Sequence, residues 1–364
     1  MHLLPEIRGL FINNPRAQDS IYESGVMVYQ CLKQSDSYSL DYLEVNLEQR
    51  AIPLGYDFYF FNYHPFTMPW LETRNLKKLL KGLVITMVLE VLPGDPFVLC
   101  PRTHFDLYCV LDPSLKIRQA NVIAFPRPLE QVKIKPHINN DIPVIGTFGF
   151  ATRGKGFQHV VDSVNKEFEQ AIVKINIPFG SFVPDSEDYS TKLSEICRNR
   201  AKPGIEVIVT HHYFTKEELI DWCRKNTLNC FLYDRNMPGL AATTDQAIVS
   251  EQPLAVSKND TFRHILSYLP SYPQWSLRQS IEQSAPLVKK MKTDWSPENF
   301  KRKFETSLEQ FIWNQNATEG SSNIILPLKT SNFRTKLENK FHKLQRKLKQ
   351  ILTSKFNQKN EEFL

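Results

Sequence analysis

Two stretches carry glycine, hydroxyl and cationic residues at spacings that suit an anion. The first, Gly146-Thr-Phe-Gly149-Phe-Ala-Thr-Arg153-Gly154-Lys155-Gly156, sets four glycines and two cations between a strand and a helix. Glycines let a phosphate reach backbone N–H groups, and the cations neutralise its charge. The second stretch is Pro238–Gln246. An apolar strand, Asn229–Tyr233, feeds a turn at Pro238-Gly239, and a helix is predicted from Ala241 or Ala242 to about Ser250. The first N–H groups of such a helix are unpaired and partly positive, Gly239 admits a phosphate closely, and Thr243 and Thr244 add hydroxyl donors. A plain βαβ unit with solvated turn cations would use the same residue types without a ligand. The spacing matches neither the dinucleotide fingerprint nor the P-loop, because Lys155 is followed by Gly156 rather than Ser or Thr, which argues against both classes.

Other candidates are scattered. His211 and His212 end a predicted strand on the same sheet edge, where they either contact a base or ribose or stay solvated. His264, beside Arg263, reads as a residue paired within its own domain. In the first half, Tyr22, Glu23 and Gly25 open a predicted helix, and Glu90 ends a strand as a general-base candidate or an exposed strand-end acid. No D-x-D motif occurs and the Asp and His residues lack ligand spacing, so no metal is implied. The six cysteines show no C-x-x-C pair and read as small buried apolar residues.

The elements that must position these residues form two series. In the first half, strands are predicted at Ile7–Ile12, Asp57–Asn62, Leu83–Glu90, Leu107–Leu111 and Asn121–Phe125, with a loop over Asn13–Ser24 and a helix over Gly25–Lys33. Their apolar runs do not alternate, which favours parallel strands buried on both faces. Prolines 126, 128 and 136 then mark a linker. The second half alternates: strand Pro143–Phe148, helix Phe157–Phe168, strand Ala171–Ile177, helix Tyr189–Arg200, strand Val207–Thr210, helix Lys216–Lys225, strand Asn229–Tyr233, then a strand at Pro253–Ser257 and a helix carrying Phe262–Ile265. Thr215 and Glu218 form a capping box. Such a series is the pattern of a doubly wound α/β sheet, whose ligands bind beyond the carboxyl ends of the strands.

On these residues the second half, roughly Pro143–Phe311, resembles the nucleotide-sugar-binding domain of GT-B glycosyltransferases of the family-four type. Ile145–Gly149 with Lys155-Gly156 is similar to the family's strand, glycine and Lys-Gly pair, and Gln246–Pro253 to its Glu-Ala-Met-Ala-x-Gly-x-Pro. The resemblance implies two Rossmann-type parallel-sheet domains facing a cleft, with 1–135 a shortened acceptor-side domain and 136–318 the donor-side domain. It implies a nucleoside-diphosphate sugar as co-substrate, a saccharide or lipid-linked acceptor in cell-envelope polysaccharide synthesis, and no cofactor. Gly149, Gly239, Thr243, Thr244, Gln246 and His211 would bind the donor, and Arg153 and Lys155 would stabilise the departing diphosphate. Tyr22, Glu23, Gly25 and Glu90 would lie on the acceptor side, Gly25 admitting a phosphate. The family's two glutamates stand here as Pro238 and Gln246, and its arginine after the strand glycine as Phe150. Asp245 is the carboxylate expected to replace them, with Asp234 in reserve. A catalytically inactive scaffold of the same fold is the alternative reading.

The chain has 364 residues and a net charge of +6. Residues 329–364 hold ten Lys or Arg against three Glu, which leaves 35 basic and 36 acidic residues elsewhere. The body therefore gives no electrostatic reason to expect nucleic acid. No apolar run is long enough to span a membrane, so a cytoplasmic location is expected. Trp295–Trp313 reads as a late helix with Ser296 as N-cap, bracing the first domain, and Asn314–Asn323 as a linker. Residues 319–364 are read as linker plus basic amphipathic helix, apolar at 333, 337, 341, 344, 348, 351 and 352. Its cations, 329–359, suit an anionic membrane surface, or else a coiled coil.

Overall fold

The structure, a computed structural model, describes residues 7–15, 20–46, 51–64, 67–68, 71, 76–89, 105–117, 119–132, 141–180, 186–235 and 239–319, with Ser20 and 312–319 described by backbone alone. The chain falls into two compact units, Met1–Phe311 and Ile312–Leu364. Both sheets belong to the first.

Strands β1 (Ile7–Asn13), β2 (Tyr38–Glu44), β3 (Phe58–Asn62), β4 (Leu83–Val88), β5 (Leu107–Val110) and β6 (Val122–Ala124) form one sheet in the order β2-β1-β3-β4-β5-β6. Every pairing in it is parallel. Strand β3, Phe-Tyr-Phe-Phe-Asn, is buried at every residue, as a strand covered on both faces must be. The second sheet contains β7 (Val144–Phe148), β8 (Ala171–Asn176), β9 (Ile205–Thr210), β10 (Leu228–Phe231) and β11 (Leu254–Val256) in the order β11-β10-β7-β8-β9, again all parallel. The two orders follow the two common doubly wound ones, the first extended by a sixth strand and the second lacking its sixth.

Helices cover the sheets: α1 (Ser20–Leu32), a single turn α2 (Leu76–Leu79), α3 (Phe157–Glu167), α4 (Ser186–Arg200), α5 (Lys216–Arg224), α6 (Thr243–Val249), α7 (Leu277–Gln283), α8 (Ala285–Asp294) and α9 (Pro297–Glu319). In α3 the buried side chains Phe157, Val160, Val161 and Val164 follow the i, i+3, i+4, i+7 rule for an apolar stripe. Helix α5 starts at the expected capping box, with Thr215 N donating to Glu218 Oε2 at 2.8 Å and Glu218 N to Thr215 Oγ1 at 3.3 Å.

Helix α9 begins with Ser296 Oγ accepting from Asn299 N at 3.3 Å and Pro297 in the first position. It returns to the first half. Phe304 lies 5.5 Å from Phe60 and 6.2 Å from Tyr38, and Phe300 4.9 Å from Phe125, ring centre to ring centre. Both phenylalanines are buried, each contributing about 1.5–3 kcal/mol. Lys301 Nζ donates to Gln34 O at 3.0 Å and Lys303 Nζ to Ala124 O at 2.6 Å.

Several expectations are corrected. Helix α1 begins at Ser20, inside the expected loop, so Tyr22, Glu23 and Gly25 all lie in its first turns. Strand β2 was not expected; as an edge strand it buries only part of its side chains and lacks the apolar run that marks its neighbours. The helix expected around Phe262–Ile265 is a single 3-10 turn, Asp260–Phe262, capped by Asn259. Helix α9 continues through Asn314–Glu319, where a linker was expected. Five cysteines, 31, 109, 197, 223 and 230, are buried and free. Cys100, Glu90, Pro238 and the basic tail lie outside the described residues.

Candidate functional site

In the second sheet the chain runs outward from β7 to β8 on one side, and from β10 to β11 on the other. The neighbours β7 and β10, paired through Leu228 with Ile145 and Asn229 with Gly146, therefore straddle the switch point. The loops leaving their carboxyl ends flank the usual place for a ligand in such a sheet. The loop after β7 needs glycine at three places, Gly154 among them, where φ is +77° and a Cβ would run into Arg235 Cβ. Gly149 has φ +137°, and a Cβ there would lie 3.1 Å from Lys155 Nζ and 3.4 Å from Thr243 Cγ2. Gly156, at φ +67°, packs so closely that a Cβ would run into Leu232 O. The loop thus rests on the exit from β10.

That contact turns Lys155 inward. Its Nζ donates to Tyr233 OH at 2.7 Å and stands 4.5 Å from the ring centre. Tyr233 OH in turn lies 2.9 Å from Thr243 Oγ1. The Arg235 guanidinium sits 5.2 Å from the same ring, with one amine donating to Thr152 Oγ1 at 3.2 Å and its buried Nε without a partner. Burial pulls the Lys155 ammonium below its ordinary pKa; the tyrosine hydroxyl opposes this and Arg235 adds to it. The intervening acid, Asp234, is held by His159 Nε2 at 3.0 Å. Two cations thus share one tyrosine beside Gly149.

Helix α6 starts beside them, and two N–H groups of its first turn are already engaged. Thr244 N donates to Ala241 O at 3.4 Å and Asp245 N to Ala242 O at 3.0 Å, the tight i to i+3 bonds of a helix end. Its side chains make contacts as well. Thr243 meets Tyr233. Thr244 Oγ1 donates to Ala241 O at 2.7 Å and lies 3.3 Å from His264 Nε2. Asp245 forms an ion pair with Arg127, Nε to Oδ2 at 2.9 Å. Burial raises its carboxyl above the ordinary value, with Arg127 pulling the other way. Gln246 and Gly239 are half-buried. Among the described residues no group of three His, Cys, Asp or Glu side chains is placed to hold a metal.

No family model and no curated protein matches the sequence. Solved structures do. A glycosyltransferase from Rickettsia africae superposes with a TM-score of 0.59 at 9% identity, over 85% of this chain and 99% of that one. HepE of Anabaena, solved in complex with UDP-glucose, gives 0.54 at 10% identity, over 84% and 100%. The N-terminal domain of Candida albicans trehalose-6-phosphate phosphatase gives 0.56 at 8% identity, over 85% and 97%. The chain has the GT-B fold.

Within this GT-B chain the expected site residues divide. Gly149, Lys155 and Thr243 come together, and Tyr233 and Arg235, which sequence reading passed over, complete the group. The signal for them was position alone, directly after a central strand. Arg153 is exposed on the turn beyond Thr152, so Arg235 rather than Arg153 accompanies Lys155. Asp245 is occupied by Arg127 and so does not stand open as a replacement carboxylate. His211 stacks on the half-exposed Phe179 with 4.6 Å between ring centres, its Nδ1 2.8 Å from Ile177 O. On the other half, Glu23 lies 2.6 Å from Lys216 Nζ at the start of α5, and burial with Glu44 as hydrogen-bond partner raises the Tyr22 phenol. Gly25 is not open to a phosphate. A Cβ there would run into Asn62 Nδ2, which itself donates to Asn13 Oδ1 and Ile21 O at 2.7 Å each. The switch point of the first sheet, between β1 and β3, is thereby filled by its own asparagines.

Proposed function

We propose that this GT-B protein is a glycosyltransferase that takes a sugar from a nucleoside diphosphate and passes it to a saccharide or lipid-linked acceptor. The observation that carries this reading is the pair Lys155 and Arg235 gathered on Tyr233 at the switch point of the second sheet, with Asp234, the acid nearest in sequence, engaged by His159. Cations crowded at low dielectric repel one another, and a diphosphate with its charge-assisted hydrogen bonds would relieve that repulsion. The same two groups would stabilise the charge that develops on the departing diphosphate as the glycosidic bond to it breaks. Thr243, Gln246 and Gly239 would line the donor, with Gln246 on the ribose. Residues 1–135 would serve the acceptor and 136–318 the donor. HepE, with UDP-glucose bound, supports the choice of UDP as first probe.

The engagement of Asp245 by Arg127 favours a second reading, a binding protein of the same fold without turnover. Calorimetry with UDP and UDP-glucose, followed by an assay for UDP released from UDP-glucose in the presence of acceptor glycans, separates the two. The wild type is expected to bind UDP and the Lys155→Ala/Arg235→Ala variant to lose it. Absence of heat with every nucleoside diphosphate at millimolar concentration would refute both readings, and binding without release would leave the second.

A further inference from the structure

Three consecutive residues in the first turn of α6 each hold a different part of the molecule. Thr243 meets Tyr233 at the end of β10, Thr244 meets His264 after β11, and Asp245 meets Arg127. The third tie differs in kind. Tyr233 and His264 belong to the half that carries α6, whereas Arg127 comes from the irregular stretch 125–132 between the two sheets. Glu130 of that stretch lies 3.2 Å from Lys216 Nζ, which also reaches Glu23 of α1 at 2.6 Å. The Arg127 contact is two-pronged, with Nε 2.9 Å from Oδ2 and a terminal amine 3.2 Å from Oδ1, and both side chains are only 12% exposed. Such a fork fixes orientation as well as distance. Two residues before Asp245 on the same short helix, the Thr243 hydroxyl ends the chain that runs from Lys155 through Tyr233.

We infer that Arg127 is a positioning residue: through Asp245 it sets α6, so that anion affinity at Lys155, Tyr233 and Arg235 depends on a side chain from outside the sheet that carries them. This rests on the proposed anion-binding role of that cluster. A pair that merely held the halves together would change melting temperature and leave affinity alone.

The test is calorimetry with UDP on the full chain, alongside melting curves. Arg127→Met alone strands a buried carboxylate and can fail to fold, so the informative variants are Arg127→Met/Asp245→Asn, which removes both charges, and Arg127→Lys, which keeps the charge but loses the fork. The double variant is expected to melt near the wild type and to bind UDP about tenfold more weakly, with Arg127→Lys between the two. A folded double variant with wild-type affinity overturns the inference and leaves the reading of the cluster standing. If the double variant does not fold, Arg127→Lys decides: unchanged affinity overturns the inference and weakened affinity upholds it. A wild type that ignores UDP removes the reading of the cluster, and the inference with it.

Discussion

The Lys155 ammonium donates to the Tyr233 hydroxyl across 2.7 Å, and this bond joins the loop after β7 to the exit of β10 at the point where the second sheet reverses its strand order. Both residues are thereby held in place by the fold itself.

The position of Lys155 has a pH signature. Its folded-state pKa lies below the ordinary lysine value because of burial and Arg235. Between the two values the unfolded chain keeps a proton that the folded one lacks, so stability rises with pH across that window, and the full cost is present below it. A bound diphosphate favours the ammonium, so UDP affinity is expected to be full below the lowered pKa and to fall as pH rises through it. Lys155→Met should abolish UDP binding and, by removing the buried charge, raise the melting temperature of the ligand-free protein at pH values below the lowered pKa. Scanning fluorimetry from pH 7 to 10 reads both effects; a variant that melts lower than the wild type contradicts the account.

Tyr233→Phe keeps the ring under the two cations but removes the link from Lys155 to Thr243. Loss of one such hydrogen bond is worth about 1 kcal/mol, so UDP should bind roughly five- to tenfold more weakly with the fold intact. Equal dissociation constants for variant and wild type would mean that the phenol oxygen plays no part.

Gly25→Ala tests the other half. The added methyl must displace the Asn62 amide, and overpacking of this kind costs about 1–3 kcal/mol. Urea melts should show that loss while UDP affinity, measured below the transition, stays at the wild-type value. Unchanged stability would mean that the asparagine pair yields without cost.

Residues 329–359 are expected to dock on anionic lipid. Each cation near such a surface is worth about 1 kcal/mol within a Debye length of roughly 8 Å. Truncation after Asn323 should abolish co-sedimentation with phosphatidylserine vesicles and leave UDP binding untouched. Equal sedimentation of both forms would dismiss the tail as the anchor.

What could be read in the residues was local. The Thr215–Glu218 box, the buried stripe of α3 and the apolar runs of β3 and β4 are each set by neighbours within a few positions, and they lie where expected. Strand β2 hid because an edge strand alternates only loosely. The reach of Arg127 to Asp245 spans 118 positions, and that of Asn62 to Asn13 spans 49. Neither leaves a mark on the residues beside it. Arg153 and Arg235 are equally basic on paper, and the packing of the loop, Gly156 against Leu232 and Gly154 against Arg235, places Arg235 beside Tyr233 and leaves Arg153 exposed.

The return of α9 also dictates an order of events during synthesis. Phe60, Tyr38 and Phe125 emerge from the ribosome early, yet the rings that cover them, Phe304 and Phe300, come near the end of the chain. At 5–20 residues per second the first sheet waits on the order of ten to thirty seconds with an aromatic face bare. The amino-terminal half is therefore the segment a chaperone would have to guard, and expressed alone without α9 it should collect in inclusion bodies.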